Sequence, residues 1–440
     1  GLAGNFGEAM KLVHRNMATI RGEAWTPWRA LNAGLTLKVS QALLEPGQKA
    51  EVRLGQLFAL DEKLAGKVSL TLSLQGAEGE KTLAARKDLD PDWQARPLVV
   101  EVTTPEVGDS GYRLTAVLTP ASESSETPIR KTVSVRVERG LTARLAALKE
   151  RCAKIEPRLG EKLRSSFETA QYAVALYDLA AAGEIPVERL NFAQEFSNAA
   201  ALLEALEKNQ DPLVARRGDF RKAYRSKVDN TLQPYRVFVP SGYDPAKAHP
   251  LVVALHGMGG DENSYFDGYR QGAFKVEAEQ RGYLAVCPKG RQPASMYTGA
   301  AEQDVLDVIA EMRRAYNVDP DRIYLTGHSM GGYGTWSVAM NHPHLFAALA
   351  PVAGGGNPAN LSKIAHIPQL VVHGDNDKTV PVERSRVMVE AARKLNTKLR
   401  YIEIPGGSHV DIAVPTFKDI YDWFDAHRRG ATADSGGSKQ

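Results

Sequence analysis

Two cysteines in 440 residues leave no material for a disulfide framework. Cys152 and Cys287 also fall in stretches that read as different domains. Long apolar runs are missing, and no stretch approaches the roughly 20 residues needed to cross a bilayer as a helix. Charge of one sign is scarce as well. With 55 Lys and Arg against 52 Asp and Glu, the net charge is +3, small for this length, so nothing points to nucleic acid. His-Glu-x-x-His is absent, as is any Cys/His cluster at ligand spacing, so no metal is expected. Neither a G-x-x-x-x-G-K-[ST] phosphate loop nor a dinucleotide fingerprint occurs, so no cofactor is expected. The chain starts at Gly1 without a signal peptide. A processed start and a modular layout suggest a secreted or periplasmic setting. No membrane or protein partner is named by these features.

What is present centres on Ile323-Tyr324-Leu325-Thr326-Gly327-His328-Ser329-Met330-Gly331-Gly332. A β-prone apolar run ends in Gly-x-Ser-x-Gly, and a helix-compatible stretch follows. That is the context of a nucleophile elbow, in which the serine stands exposed on a strained turn. Gly327 and Gly331 leave room for neighbouring backbone. Alone, the five residues also fit an ordinary strand-to-helix turn.

The chain around this motif divides by period. Residues 1–33 read as a leader, with a short helix from Glu8 to Ile20 and an aromatic anchor at Trp25-Thr26-Pro27-Trp28. From 34 to 140 the period is two, as in Val68, Leu70, Leu72 and Leu74, or Val133, Val135 and Val137. About seven half-buried strands in roughly 105 residues predict an immunoglobulin-like β-sandwich without catalytic side chains. Residues 141–218 turn helical, with Leu141, Leu145, Leu148, Cys152 and Ile155 on one stripe, and read as a connector. From 219 to 429 strands and helices alternate. Several strands are unbroken apolar runs, such as Leu251 to Leu255, which predicts a parallel, doubly wound α/β sheet covered on both faces. Residues 430–440 read as a disordered tail.

A serine hydroxyl needs a histidine to take its proton and a carboxylate to orient that histidine. In elbow folds the order along the chain is Ser, acid, His. The acid candidates are Asp375 and Asp377, in the loop after the strand that ends at Val372. The base candidate is His409, in Pro405-Gly406-Gly407-Ser408-His409, after the strand that ends at Ile404. His256, His328 and His373 flank the motifs and read as structural. Backbone N–H groups of Met330 and of Met258, in His256-Gly257-Met258-Gly259-Gly260, are the expected oxyanion donors. Tyr265, Tyr297 and Trp336 are candidates to line a pocket.

Four motifs carry a family resemblance. They are Leu255-His256-Gly257-x-Gly259-Gly260, Val318-Asp319-Pro320-Asp321-Arg322-Ile323-Tyr324 leading into Gly327-His328-Ser329-Met330-Gly331-Gly332, His373-Gly374-x-x-Asp377-x-x-Val380-Pro381, and Ser408-His409. Over residues 219–429 the chain resembles the α/β-hydrolase superfamily, and within it serine esterases of the esterase D, feruloyl esterase and polyhydroxybutyrate depolymerase group. The resemblance implies that Asp377 is the acid. It also implies a carboxylic ester hydrolase forming an acyl-enzyme on short-chain, carbohydrate, aromatic or polyester-type esters. Two other functions compete. A prolyl-oligopeptidase-like serine peptidase shares the fold, but its β-propeller needs repeated four-stranded blades, and no such repeat occurs here. A non-catalytic scaffold would be expected to lack a member of the Ser, Asp and His set.

Overall fold

The computed structural model describes residues 2–64, 66–120, 126–187, 190–270, 272–291 and 294–430, with side chains from residue 6 onward. The predicted tail therefore lies outside the described residues. The chain forms two compact units. One comprises Gly1–Lys154 and Ala173–Ala201, the other Ile155–Tyr172 and Leu202–Gln440.

The first unit opens with helices α1 (Leu2–Ile20) and α2 (Pro27–Gly34). The expected leader helix is thus longer than its sequence signal. Thr26 caps α2 by accepting from Arg29 N, and Pro27 begins the helix, where its missing N–H costs nothing. Trp28 is buried and donates its indole N–H to Thr127 O at 2.9 Å. Eight strands follow: β1 (Leu35–Val39), β2 (Leu43–Leu44), β3 (Lys49–Gln56), β4 (Val68–Gly76), β5 (Gly79–Leu89), β6 (Leu98–Thr103), β7 (Ser110–Pro120) and β8 (Ile129–Val137). They form a three-stranded sheet, β1-β3-β6, and a five-stranded sheet, β2-β8-β7-β4-β5. All pairs are antiparallel except β2 with β8. Alternation decides which side chains go inward. Val52 and Leu54 of one sheet and Leu70, Leu72, Leu114 and Val135 of the other share one core with Trp28 and Leu31. Tyr112, near the start of β7, donates its hydroxyl back to Gly108 O at 2.8 Å.

Helices α3 (Leu141–Ile155), α4 (Arg164–Ala181) and α5 (Phe192–Glu207) occupy the expected connector. They do not form a body of their own, because the two units divide them at Lys154, Tyr172 and Ala201. Pro157 lies in a 3-10 turn, Glu156–Arg158, and α4 starts only at Arg164. Side chains of α4 cap the second unit's first strand, β9 (Gly218–Arg225). Thr169 Oγ1 accepts from Ala223 N at 3.1 Å and Glu168 Oε2 from Arg225 N at 3.2 Å.

After β9 come β10 (Leu232–Val239), β11 (His249–Leu255), α6 (Ala273–Arg281), β12 (Leu284–Pro288), α7 (Ala300–Ala315), β13 (Val318–His328), α8 (Met330–Asn341), β14 (Ala348–Val352), β15 (Gln369–Gly374), α9 (Glu383–Lys394), β16 (Leu399–Ile404) and α10 (Phe417–Asp425). The eight strands make one sheet in the order β16-β15-β14-β13-β11-β12-β10-β9. β11 to β16 are mutually parallel, while β10 runs antiparallel to β12 and to β9. The strand order reverses at β11, between β12 and β13. Loops leaving such a switch point at the carboxyl edge diverge and open a crevice. The loops that carry Met258, Ser329, Asp377 and His409 leave the sheet at that edge, where Leu255 pairs with Gly327, His328 with Val352, and Gly374 with Ile404.

Candidate active site

The turn from β13 into α8 is strained at Ser329. Ser329 has φ +58° and ψ −118°, a conformation that non-glycine residues rarely adopt. Its neighbours explain the glycines. A Cβ on Gly331 would stand 1.9 Å from Leu255 O, and one on Gly327 would stand 2.3 Å from Gly331 O. The strain is held by Ser329 N donating to Val352 O at 2.9 Å and by Tyr333 N donating to Ser329 O at 3.1 Å.

The sequence-chosen residues meet here. His409 Nε2 lies 2.8 Å from Ser329 Oγ, and His409 Nδ1 lies 2.6 Å from Asp377 Oδ2. The other carboxylate oxygen, Oδ1, accepts from Thr379 N at 2.8 Å and Val380 N at 2.9 Å. Burial alone would raise the Asp377 carboxyl. The hydrogen bond from His409 and those from the Val380 and Thr379 amides outweigh it and hold Asp377 below the usual carboxylate range. Asp375 faces elsewhere and accepts from Gly406 N at 2.6 Å, closing the loop that delivers His409.

The loop after β11 runs alongside Ser329. A Cβ on Gly257 would stand 3.4 Å from Ser329 Cβ. Gly260 N donates to Gly257 O at 3.0 Å, which leaves Met258 and Gly259 at the centre of a turn. Gly259 has φ +79°, as the third residue of a type II turn requires. His256 anchors the loop, with its ring nitrogens on Gly257 O at 2.8 Å and Lys289 O at 2.7 Å. Met330 begins α8, so its N–H has no partner inside the helix. The Met258 side chain is 65% exposed beside the crevice.

Two histidines read as structural, His328 and His373, touch His409 and Asp377 respectively. His328 Nε2 lies 2.6 Å from His409 O, and its Nδ1 lies 2.9 Å from Tyr269 Oη. His373 is fully buried, with Nε2 2.9 Å from Val380 O and 3.3 Å from Asp377 Oδ2, and Nδ1 2.7 Å from Ser385 Oγ. Burial depresses both imidazoles, that of His328 to about 4. Their place next to motif residues was the only available sequence signal. Tyr269 carried none. Conversely, Tyr265, Tyr297 and Trp336 do not line an open pocket. All three are buried; Tyr297 bonds His256 O, and Trp336 donates to Gln369 Oε1 at 2.9 Å. Among the described residues no group of three His, Cys, Asp or Glu is arranged to hold a metal ion.

A family model described as "PETase: PET hydrolase-like" matches residues 292–418. A bifunctional acetylxylan esterase/xylanase of Neocallimastix patriciarum is 35% identical over 147 residues, covering 32% of this chain and 21% of that protein. Feruloyl esterase C of Emericella nidulans is 30% identical over 155 residues, 34% of this chain and 56% of that one. Poly(3-hydroxyalkanoate) depolymerase C of Paucimonas lemoignei is 31% identical over 130 residues, 27% and 30% respectively. The chain thus spans less than two thirds of these relatives' lengths. In its sheet, its elbow and these relatives, the second unit is similar to α/β-hydrolase esterases, the feruloyl esterases and polyhydroxyalkanoate depolymerases among them.

Proposed function

We propose that the chain is a carboxylic ester hydrolase that works through an acyl-enzyme on Ser329, with His409 as general base and Asp377 as its orienting carboxylate. The observation that carries this reading is the unbroken line Ser329 Oγ, His409, Asp377 at 2.8 and 2.6 Å. His409 Nε2 takes the hydroxyl proton as Oγ bonds to the ester carbonyl carbon. Asp377, ionised and held by two backbone amides, stabilises the imidazolium. Charge arriving on the carbonyl oxygen is met by the N–H groups of Met258 and Met330. The imidazolium then protonates the leaving alkoxide, and a water deprotonated by the same nitrogen releases the acid. The substrate is a short-chain, carbohydrate, aromatic or polyester-type ester, small or polymeric, a range supported by relatives named as feruloyl esterase, acetylxylan esterase and poly(3-hydroxyalkanoate) depolymerase.

The first unit is read as an immunoglobulin-like sandwich. Support comes from its three- and five-stranded sheets over one core, the parallel β2–β8 pairing, and the Tyr112 hydroxyl returning to Gly108 O, the pattern of a tyrosine corner. Binding of a large substrate, shaping of the entrance or stabilisation of the hydrolase are the roles open to a unit without catalytic side chains.

Ser329→Ala tests the reading. Hydrolysis of a short-chain activated ester is expected to fall by on the order of 10⁶, with an unchanged melting temperature. A fluorophosphonate is expected to label wild type at Ser329 and to leave the variant untouched. Retention of more than a small fraction of turnover overturns the assignment. Peptide anilides, which need a firmly held peptide and a protonated leaving nitrogen, are expected to be turned over slowly or not at all. Comparable efficiency on esters and anilides favours a peptidase instead.

A further inference from the structure

We propose that His328 and Tyr269 are positioning residues for the reaction: Tyr269, His328 and the main-chain carbonyl of His409 form a second line of hydrogen bonds that fixes where the base stands relative to Ser329. The inference rests on the esterase reading above and extends it to two residues outside the Ser329, His409 and Asp377 line.

The chemistry of the contacts sets the protons. His409 O accepts only, so His328 carries its hydrogen on Nε2, 2.6 Å away. His328 is buried and stays neutral near pH 7. Nδ1 is therefore a bare lone pair, and the Tyr269 hydroxyl 2.9 Å away donates to it. Burial raises the Tyr269 phenol, which stays protonated and able to donate. Its ring is wedged between Tyr265, at 5.0 Å between centroids, and Phe417, at 5.9 Å. Each polar atom has one partner of the right kind, and the tautomer of His328 is dictated from both sides.

The arrangement answers a mechanical problem. His409 follows two glycines on a loop beyond the end of β16, where no ladder of hydrogen bonds holds it. Gly406, at φ +69°, gives the loop a backbone freedom that must be removed elsewhere. Asp375 on Gly406 N, Asn376 N on Gly407 O and Asp411 on Ser408 N hold the main chain as far as Ser408, and at His409 itself Asp377 restrains only the imidazole, through Nδ1. His328 restrains the main chain, and it is the residue immediately before the nucleophile. Serine and base are thereby referenced to the same turn. The two imidazole rings lie 4.8 Å apart, so a neutral His328 also spares the imidazolium of His409 a like charge. Misplacement of a catalytic group by about 1 Å costs on the order of 10²-fold in rate.

Steady-state kinetics on one activated ester, with melting temperatures, test this in His328→Phe, His328→Gln, Tyr269→Phe and Ser329→Ala. His328→Phe removes the donor and is expected to lower kcat by about 10- to 100-fold, with KM within about twofold. His328→Gln restores an amide N–H near the Nε2 position and is expected to recover kcat to within about fivefold of wild type. Tyr269→Phe is expected to lose roughly three- to tenfold in kcat, and imidazole ¹⁵N spectra should change from the pure Nε2–H tautomer of His328 to a mixture. If His328→Phe keeps kcat within twofold, or if Gln is no better than Phe at matched stability, the positioning role is overturned. Should His328→Phe fail to fold, Tyr269→Phe decides: a kcat loss at unchanged melting temperature supports the inference, and an unchanged kcat overturns it. Loss of turnover in Ser329→Ala with full activity in His328→Phe rejects the positioning role alone. Hydrolysis surviving in Ser329→Ala rejects the esterase reading and this inference with it.

Discussion

Two aspartates two residues apart separate cleanly by what their oxygens accept. Asp377 receives bonds from His409, Thr379 and Val380, whereas Asp375 receives one from Gly406. In Asp377→Asn an amide N–H₂ facing His409 Nδ1 stabilises the tautomer with hydrogen on Nε2, which cannot take a proton from Ser329. A fall in kcat of about 10⁴ is expected, against less than about threefold in Asp375→Asn. Equal losses in the two variants would contradict the assignment. Motif order made the serine and the base legible, but the residues alone left the two aspartates level, since Asp and Asn form turns everywhere. His328 has a further consequence. Burial pushes its imidazole down to about 4 in the folded chain, against the ordinary value of about 6.5, so between these values the unfolded chain binds more protons and stability falls as pH falls. The gap is worth on the order of 3 kcal/mol. Asp377 acts lower: its depressed carboxyl contributes stability at neutral pH that is lost only as pH falls through and below the ordinary carboxylate range. A melting curve series from pH 7 to 4 should therefore drop less steeply for His328→Gln than for wild type. Parallel slopes would contradict the assigned proton state.

The elbow shows how one element constrains three others. Gly331 must lack a Cβ because α8 begins against the last carbonyl of β11, so Gly331→Ala is expected to yield little soluble protein. Gly259→Ala meets open space and carries only the cost of a positive φ, about 1 kcal/mol. Normal solubility and melting of Gly331→Ala would show that the turn relaxes. Strands β11, β12, β14 and β15 were readable because strands buried on both faces are unbroken apolar runs. β9 was not read as a strand. Its Arg221, Lys222 and Arg225 look like surface residues, yet Lys222 is buried with its ammonium 5.7 Å from the Tyr316 ring centre. The line from Tyr269 to His409 was illegible for a different reason. It joins residues 59 and 81 positions apart in sequence through a carbonyl, and a carbonyl belongs to every residue.

At the level of the whole molecule, the alternating and helical periods separated the front strands from the catalytic sheet. They did not reveal that the connector is shared between the units. Residues 155–172 belong with the hydrolase: Phe167 is buried, and Ser166 Oγ donates to Asp211 Oδ1 at 2.6 Å. A fragment starting at Asp211 loses those contacts along with the caps on β9. It is expected to melt at least about 5 °C below one starting at Ile155. Equal melting temperatures would mean that this segment contributes no stability. Each unit also holds one buried cysteine, Cys152 in the first and Cys287 in the second, and neither forms a disulfide. Both should resist alkylation in the native state, and the order in which they react under denaturant should report which unit opens first. The division of the chain has a consequence for synthesis. Because the second unit claims residues 155–172, the ribosome releases a piece of the hydrolase before the first unit has received its last segment, residues 173–201. That early piece must wait, without its sheet, while residues 173–217 are added before β9 emerges. The interval is a window in which its apolar side chains, Phe167 and Ala170 among them, are open to whatever holds nascent chains.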